Sequence, residues 1–373
     1  MRHSYTAWPE IVLIDGTYGL LDCNLTVMVM IVEDSNCSSE IAAVGLLAVE
    51  DEATVEWFIS TFKENNGSVC TKTRCFMSDK DHTGRKVIKK IFYDSEKGTS
   101  PPVYICLFHT LQTFRRNITN ISKEEMVKIL TFVQRLAYSE SKEEYDKVYK
   151  EFRKEVPSDV LDYYNDNWHG IIEEWVVFSM VEGNLMNRTN NRVESINQKL
   201  KQVIQKRSSL LEFLRSFFVY CDSHTNEIDS KAAKMFMKSK VYIKRGSILE
   251  KYSNFLTDGA FEHISDEIKR HEYVNITHVC EDGCLIERRG TTLQVTKDFC
   301  SCTTSASSLL PCRHLFAVRK SLDLSLYEER LCNMRWTKEY YKRTQRIFRV
   351  KTAGEIGERL PLICDMGFPN LRF

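Results

Sequence analysis

The rhythm of hydrophobic and polar positions changes along this chain of 373 residues. The first hundred positions carry short apolar runs rich in Val, Ile and Leu. They predict strands at 11–14 (IVLI), 25–32 (LTVMVMIV) and 41–49 (IAAVGLLAV). Residues 50–67 then place Val55, Phe58, Ile59 and Phe62 on one helical face, and Asn65-Asn66-Gly67 stops that helix. RCFMSD predicts a fourth short strand ending on Asp79. A charged helix with Val87, Ile88 and Ile91 follows, and VYICLFH predicts a fifth strand. Three strands, a helix, a strand, a helix and a strand make an α/β sheet. Its first strand raises a question, because the run 11–14 meets a carboxylate, Asp15, and ends on it.

Past residue 109 the spacing turns helical. Ser122-x-x-Glu125 and Ser141-x-x-Glu144 have capping-box spacing, and Pro157 ends that stretch. Trp168 and Trp175 lie further along, and another helical block runs to about Lys251. Within it, 231–245 (KAAKMFMKSKVYIKR) is basic and carries no acid. A β-rich piece at 273–295 follows, with turns expected at Asp282-Gly283 and Arg289-Gly290. The last twenty residues have no periodic signal and are expected to be loose.

Composition narrows the function classes. A hydrophobic share of 43% and a charged share of 28% are those of an ordinary globular protein, with length for two to three domains. The net charge of +1 supplies no global field toward DNA or an anionic membrane, so a nucleic-acid surface must be a local patch. The start, MRHSYTAWPE, has no apolar signal region, and no apolar run is long enough to span a bilayer. The 13 cysteines are therefore expected in a reducing compartment, free or on metal, with no membrane association. N-x-S/T triplets at Asn24, Asn117 and Asn275 read as chance matches. There is no Gly-rich phosphate loop, no G-x-S-x-G elbow and no C-x-x-C redox pair, so no small-molecule substrate is expected.

Residues 300–314 read CSCTTSASSLLPCRH, a Cys-x-Cys pair followed by a Cys-x-His pair. Two close pairs joined by a loop can supply the four tetrahedral ligands of zinc; the plain alternative is four unrelated residues in a cysteine-rich chain. Pro311 suits a first helical turn, which puts Cys312 and His314 at a helix start. The spacing resembles the SWIM-type zinc finger, a ββα module associated with nucleic-acid or protein binding. The resemblance spans 274–325 and implies Cys300, Cys302, Cys312 and His314 as ligands of a structural Zn²⁺. With four ligands assigned, Cys280 and Cys284 read as hairpin residues.

The element order of the first hundred residues matches a ribonuclease H-like fold. In that fold the first strand carries a metal-binding Asp, here Asp15. The fourth strand ends on a second acid, here Asp79, and a later helix supplies the third, for which TNNRVESINQKLK offers Glu194. Three such carboxylates can hold two Mg²⁺ or Mn²⁺ ions on a phosphodiester, since hard cations select oxygen. LIDGTYG, MSDKDH, ICLFH, NNRVESIN and the terminal finger occur in an order that resembles the transposase domain of Mutator-like elements. More closely, the chain is similar to the animal zinc finger SWIM domain-containing proteins of such descent. The resemblance covers about 8–325 and implies Asp15, Asp79 and Glu194 as catalytic acids of a DDE type. Asp81 competes with Asp79 two residues on. Cys106 and His109 match a Cys-x-x-His signature beside the active site; packing at a strand end is the simpler reading of the pair. A zinc site on it would need two more ligands, and none is close in sequence.

The expected organisation is a ribonuclease H-like mixed sheet over 8–215, with a helical insertion at 118–185. A basic helical connector at 216–270, a finger at 274–325 and a tail at 326–373 follow. Mutator-like transposases carry a DNA-binding module ahead of the catalytic domain. This chain starts only a short way ahead of Asp15, which leaves no room for that module; a truncated isoform and a partial gene model are both open readings. The expected function is that of a zinc-binding nuclear protein binding nucleic acid or protein partners. The alternative is an active metal-dependent DNA strand-cleaving or strand-transfer enzyme. Lys199, Lys201, Lys206 and Arg207, with Lys240, Lys244 and Arg245, are candidate nucleic-acid contacts; a solvated helix face is the competing reading of both groups.

Overall fold

The computed structural model describes residues 1–119, 121–237, 243–280, 283–288 and 291–349. Helix α1 (Arg2–Ala7) leads into β1 (Ile11–Thr17), β2 (Thr26–Glu33) and β3 (Ser39–Leu47). Then come α2 (Glu52–Asn66), β4 (Cys75–Ser78), α3 (His82–Ile91) and β5 (Val103–Ile105). The strands form one mixed sheet in the order β3-β2-β1-β4-β5, antiparallel across β1, β2 and β3 and parallel across β1, β4 and β5. This is the five-stranded mixed α/β sheet expected from the sequence.

Both faces of the sheet are covered, which is why its strands read as apolar runs rather than alternations. Successive residues point to opposite sides. Val12, Ile14, Met30, Val32, Phe76 and Val103 pack against α2 and α3. Ile11, Leu13, Val29, Ile31 and Met77 face the helical remainder of the chain. On the first side α2 lies so close that a Cβ on Gly45 would meet the Phe58 ring at 2.6 Å.

The first strand does not stop at its carboxylate. It runs on to Thr17, with Asp15 opposite Val29 and Thr17 opposite Val27. The ladder to β2 supplies the backbone partners that carry the chain past a charge. The fifth strand is shorter than expected, because Cys106 caps a new helix, α4 (Leu107–Asn117). His109 therefore sits in the first turn of a helix and not at a strand end.

The insertion comprises α5 (Lys123–Ala137), α6 (Lys142–Glu155), α7 (Ser158–Asn167) and the short α8 (Ile172–Trp175). Ser122 and Glu125 form the full capping box. Ser141 caps its helix, but Glu144 turns to the Glu140 N–H instead. Trp168 and Trp175 are fully buried between this insertion and the sheet. Helix α9 (Asn191–Val203) follows, then α10 (Leu210–Met237), one continuous helix that spans the expected boundary at 215. His224 on α10 bonds the Ser39 carbonyl at 2.8 Å, so the helix lies against the edge strand β3.

After α11 (Ile248–Phe255) and α12 (Asp258–Arg270) comes a three-stranded antiparallel meander, β6 (Ile276–Cys280), β7 (Gly283–Arg288) and β8 (Thr291–Thr296). Its two turns fall partly outside the described residues. The expected ββα module thus has a third strand. It also has an extra helix, α13 (Thr303–Ser308), inside the ligand loop before α14 (Arg313–Ser321). Residues 326–349, assigned to a tail by the sequence, fold as single turns and α15 (Lys338–Thr344) packed back on the sheet. Arg335 pairs with Glu10, and Arg346 meets Glu40 at 2.9 Å and Asp229 at 3.0 Å. No helix among the described residues is long and apolar enough to cross a membrane.

This return segment seals a buried acid. Asp34 accepts the Asn36 and Ser38 N–H groups and, at 3.1 Å, the Tyr341 hydroxyl. Complete burial pushes its carboxyl up from 3.8 to about 7, the hydrogen bonds opposing. A raised acid holds its proton tighter when folded, so its stabilisation is full below 3.8 and is lost as pH rises through about 7. Thermal melts from pH 4 to pH 8 should show stability declining in wild type and a flatter profile in Asp34→Asn. Parallel profiles would remove Asp34 as the source.

Candidate metal centres and acidic cleft

Three elements bring the predicted acids together. Asp15 projects from β1 on the side that faces α9, and Asp79 follows β4 directly. Glu194 lies in the first turn of α9. All three line one cleft of about 390 Å³, with His109 and Lys201. Asp81 is also at its edge, but its carboxylate caps α3, accepting the Thr83 and Gly84 N–H groups at 3.2 and 2.5 Å. Asp79 accepts the Asp81 N–H at 3.0 Å. That division of labour leaves Asp79 as the acid that opens on the cleft from this loop.

Burial and the neighbouring Asp79 charge push the Asp15 carboxyl up to about 6, while a 2.8 Å bond from the Asn197 amide opposes them. Glu194 Oε1 is buried without a hydrogen bond, 3.5 Å from His109 Nε2. The Cys106 sulfur beside it raises His109 to about 9 against its burial, helped by Glu194 and Asp79. The Asn197 and Thr17 side-chain oxygens are further orphans around the cleft. An acidic pair held close and several unsatisfied oxygens give a site that favours positive charge.

The sequence reading missed two asparagines that build this geometry. Asn190 donates its side-chain amide to the Ile14 carbonyl at 2.9 Å and its backbone N–H to Cys106 Sγ at 3.1 Å. It therefore pins the start of α9 to β1 and to the start of α4 at once. Asn197, one turn beyond Glu194, holds Asp15. Both lie inside NNRVESIN, and an Asn before a helix was the available signal.

Of the candidate basic residues, Lys201 lines the cleft, Lys199 pairs with Glu227 at 3.8 Å, and Lys206 and Arg207 are exposed beyond α9. Lys244 and Arg245 are exposed before α11, and Lys240 lies outside the described residues. In the stretch 231–245, Ala232 and Met235 are buried and the Phe236 ring meets Phe348 edge-on at 4.9 Å. This helix thus uses Phe236 for packing.

The second centre is the cysteine module. Cys300, Cys302, Cys312 and His314 are all buried, with one ligand atom of each within 4.8 Å of the others. Cys300 and Cys312 sulfurs each lie 3.8 Å from His314 Nδ1. Local structure explains the gathering. Cys302 caps α13, and Leu309 ends that helix in the left-handed region at φ 58°. Cys312, not Pro311, precedes α14, which puts His314 second in the helix. Pro311 lies just outside because Cys312 itself takes the cap position. Three thiols and an imidazole are the donor set of zinc, so these residues could hold it. Cys284 packs beside them, 3.6 Å from the Ser321 hydroxyl, and is not in the ligand group.

Comparison with curated proteins gives no match. Residues 1–97 match the family model of the RNaseH-like domain of zinc finger SWIM domain-containing protein 1/3, so this part of the chain is similar to that domain.

Proposed function

We propose that this chain is a nuclear, zinc-binding protein of Mutator-like transposase descent that binds nucleic acid, with phosphate seated over a divalent cation in the acidic cleft. The observation that carries the reading is the convergence of Asp15, Asp79 and Glu194 from three distant segments on one cleft. Oxygen donors of this kind suit Mg²⁺ or Mn²⁺. The orphaned Glu194 Oε1 and the proton-favouring setting of Asp15 are relieved by a cation placed between them. Lys201 in the cleft and Lys206 and Arg207 beyond α9 put positive charge where a phosphate backbone would arrive. Residues 274–325 act as a SWIM finger on structural zinc, and the exposed Tyr273 and Phe299 offer it aromatic contacts for nucleic acid or protein.

The same convergence favours a second reading, metal-dependent strand cleavage or transfer. Two cations on the acid trio would activate the attacking oxygen and steady the leaving one. One set of assays separates the readings: binding of labelled duplex and single-stranded DNA over a salt series, and Mn²⁺-dependent nicking. Binding is expected to weaken with salt and to fall several-fold in Lys201→Glu and Arg207→Glu. Nicking abolished in Asp15→Asn and Glu194→Gln, with folding retained, would establish the enzyme. Salt-sensitive binding without nicking would leave a binding cleft. Absence of binding to any oligonucleotide would sink the nucleic-acid reading.

A further inference from the structure

We propose that Cys106, His109 and Glu194 form a second transition-metal site, of the zinc class, with an open coordination position on the cleft. The Cys-x-x-His pair lacks ligands nearby in sequence. The fold supplies a third from a distant segment, because the start of α9 is pinned to the start of α4 by Asn190 and by the Leu107 N–H to the Arg188 carbonyl at 3.1 Å. One donor atom from each of the three residues lies within 4.8 Å of the other two.

The distances suit zinc. Donors on a tetrahedral zinc stand roughly 3.3–3.8 Å apart, from metal–ligand lengths of about 2.0–2.3 Å. His109 Nε2 and Glu194 Oε1 are already 3.5 Å apart. The surroundings suit it as well. The Asn190 N–H pointed at Cys106 Sγ is the kind of outer bond that steadies a metal-bound thiolate. Glu194 Oε1 is buried with no hydrogen-bond partner, and a metal ion would supply one. Cys106 is wholly buried, whereas His109 and Glu194 line the cleft, so the free position faces the cleft. Three protein ligands with one open position is the arrangement that binds a water or an incoming oxygen, unlike the filled set of the cysteine module. A thiolate also selects zinc over the hard cations that suit carboxylates alone.

The inference shares Glu194 with the acidic-cleft reading, while its other donors, Cys106 and His109, lie outside the acid trio, so separate assays distinguish the two. The full chain is loaded with Zn²⁺, freed of loose metal and analysed for zinc per chain. Wild type is expected to hold about two ions, and Cys106→Ala and His109→Gln about one each. Asp15→Asn is expected to keep two, since Asp15 is outside this donor set. Replacing zinc by Co²⁺ should add a thiolate-to-cobalt charge-transfer band that Cys106→Ala removes and Asp15→Asn keeps. His109→Gln changes a partly exposed side chain and guards against reading misfolding as metal loss. One zinc in wild type, or two in every variant, overturns the proposal. A wild-type chain that holds two zincs yet binds no oligonucleotide would count against the acidic-cleft reading alone.

Discussion

Removing zinc from the cysteine module is expected to unfold residues 274–325 and to loosen everything that rests on them. The module's core is small: Cys284, Ile286, Val295, Leu315 and Val318 pack around Cys300, Cys302 and Cys312. Three of these eight core residues are proposed ligands, so the metal and the core are the same object. A structural zinc contributes on the order of 10–16 kcal/mol of binding free energy at neutral pH, most of it folding free energy. Without it, three thiols and an imidazole are left crowded together with few apolar neighbours. The damage should spread through defined contacts. Ser307 Oγ bonds Asn184 Oδ1 and the Met186 N–H on the loop before α9. Arg313 forms a two-pronged pair with the buried Glu267 of α12 at 2.9 and 3.1 Å. Hydrogen exchange with and without a chelator should show protection lost in β6–β8 and α14 first, then in α12, and Cys312→Ala should reproduce it. Unchanged protection in a chain shown to be zinc-free would refute a structural role for the metal.

The second large effect is expected at Trp336. Its ring is fully buried, and its Nε1–H donates to the Ser308 carbonyl at 2.6 Å. The same ring belongs to the main core with Leu256, Leu310 and Phe316, so one side chain fastens the return segment, the cysteine module and the connector helices. Trp336→Ala removes that volume from a packed site and should cost about 3–5 kcal/mol in urea unfolding. Trp336→Phe keeps most of the apolar contact and leaves one buried carbonyl short of a donor, a penalty of about 1–3 kcal/mol. A loss below about 1 kcal/mol in the alanine variant would mean the segment is held by its arginines instead. Arg335, on the Glu10 carboxylate and the Glu33 carbonyl, is the first of these to test next.

What could be seen in the sequence was what periodicity and short spacing encode. The sheet order follows from apolar runs such as 25–32 and from α2, whose Val55, Phe58, Ile59 and Phe62 are all buried as the spacing requires. The cysteine donors were legible because both pairs are nearly contiguous. The end of β1 was misplaced because a charge inside a strand breaks the apolar run while the ladder to β2 continues unbroken. Asn190 and Asn197 carry no periodic signal, and their partners Ile14 and Asp15 lie 176 and 182 residues away. The return segment 326–349 reads as a tail in the sequence because it is anchored by single residues, Arg335, Trp336 and Arg346, set in short turns with no repeating apolar face.

The span between Asp15 and Asn197 also sets a schedule for folding. Asp15 lies on β1 and Asp79 directly past the parallel neighbour β4, so the sheet brings like charges together as soon as it forms. The amide that relieves Asp15 comes from residue 197, behind the whole helical insertion. Closing so long a loop costs entropy before any contact rewards it. On a chain emerging from the ribosome, the sheet therefore forms first as an acidic surface with its cleft unfinished. The insertion must pack on Trp168 and Trp175, and α9 must dock through Asn190, before the three carboxylates share one wall. The seal over Asp34 comes last of all, with Tyr341. The cleft is thus complete only once the chain has folded through α9.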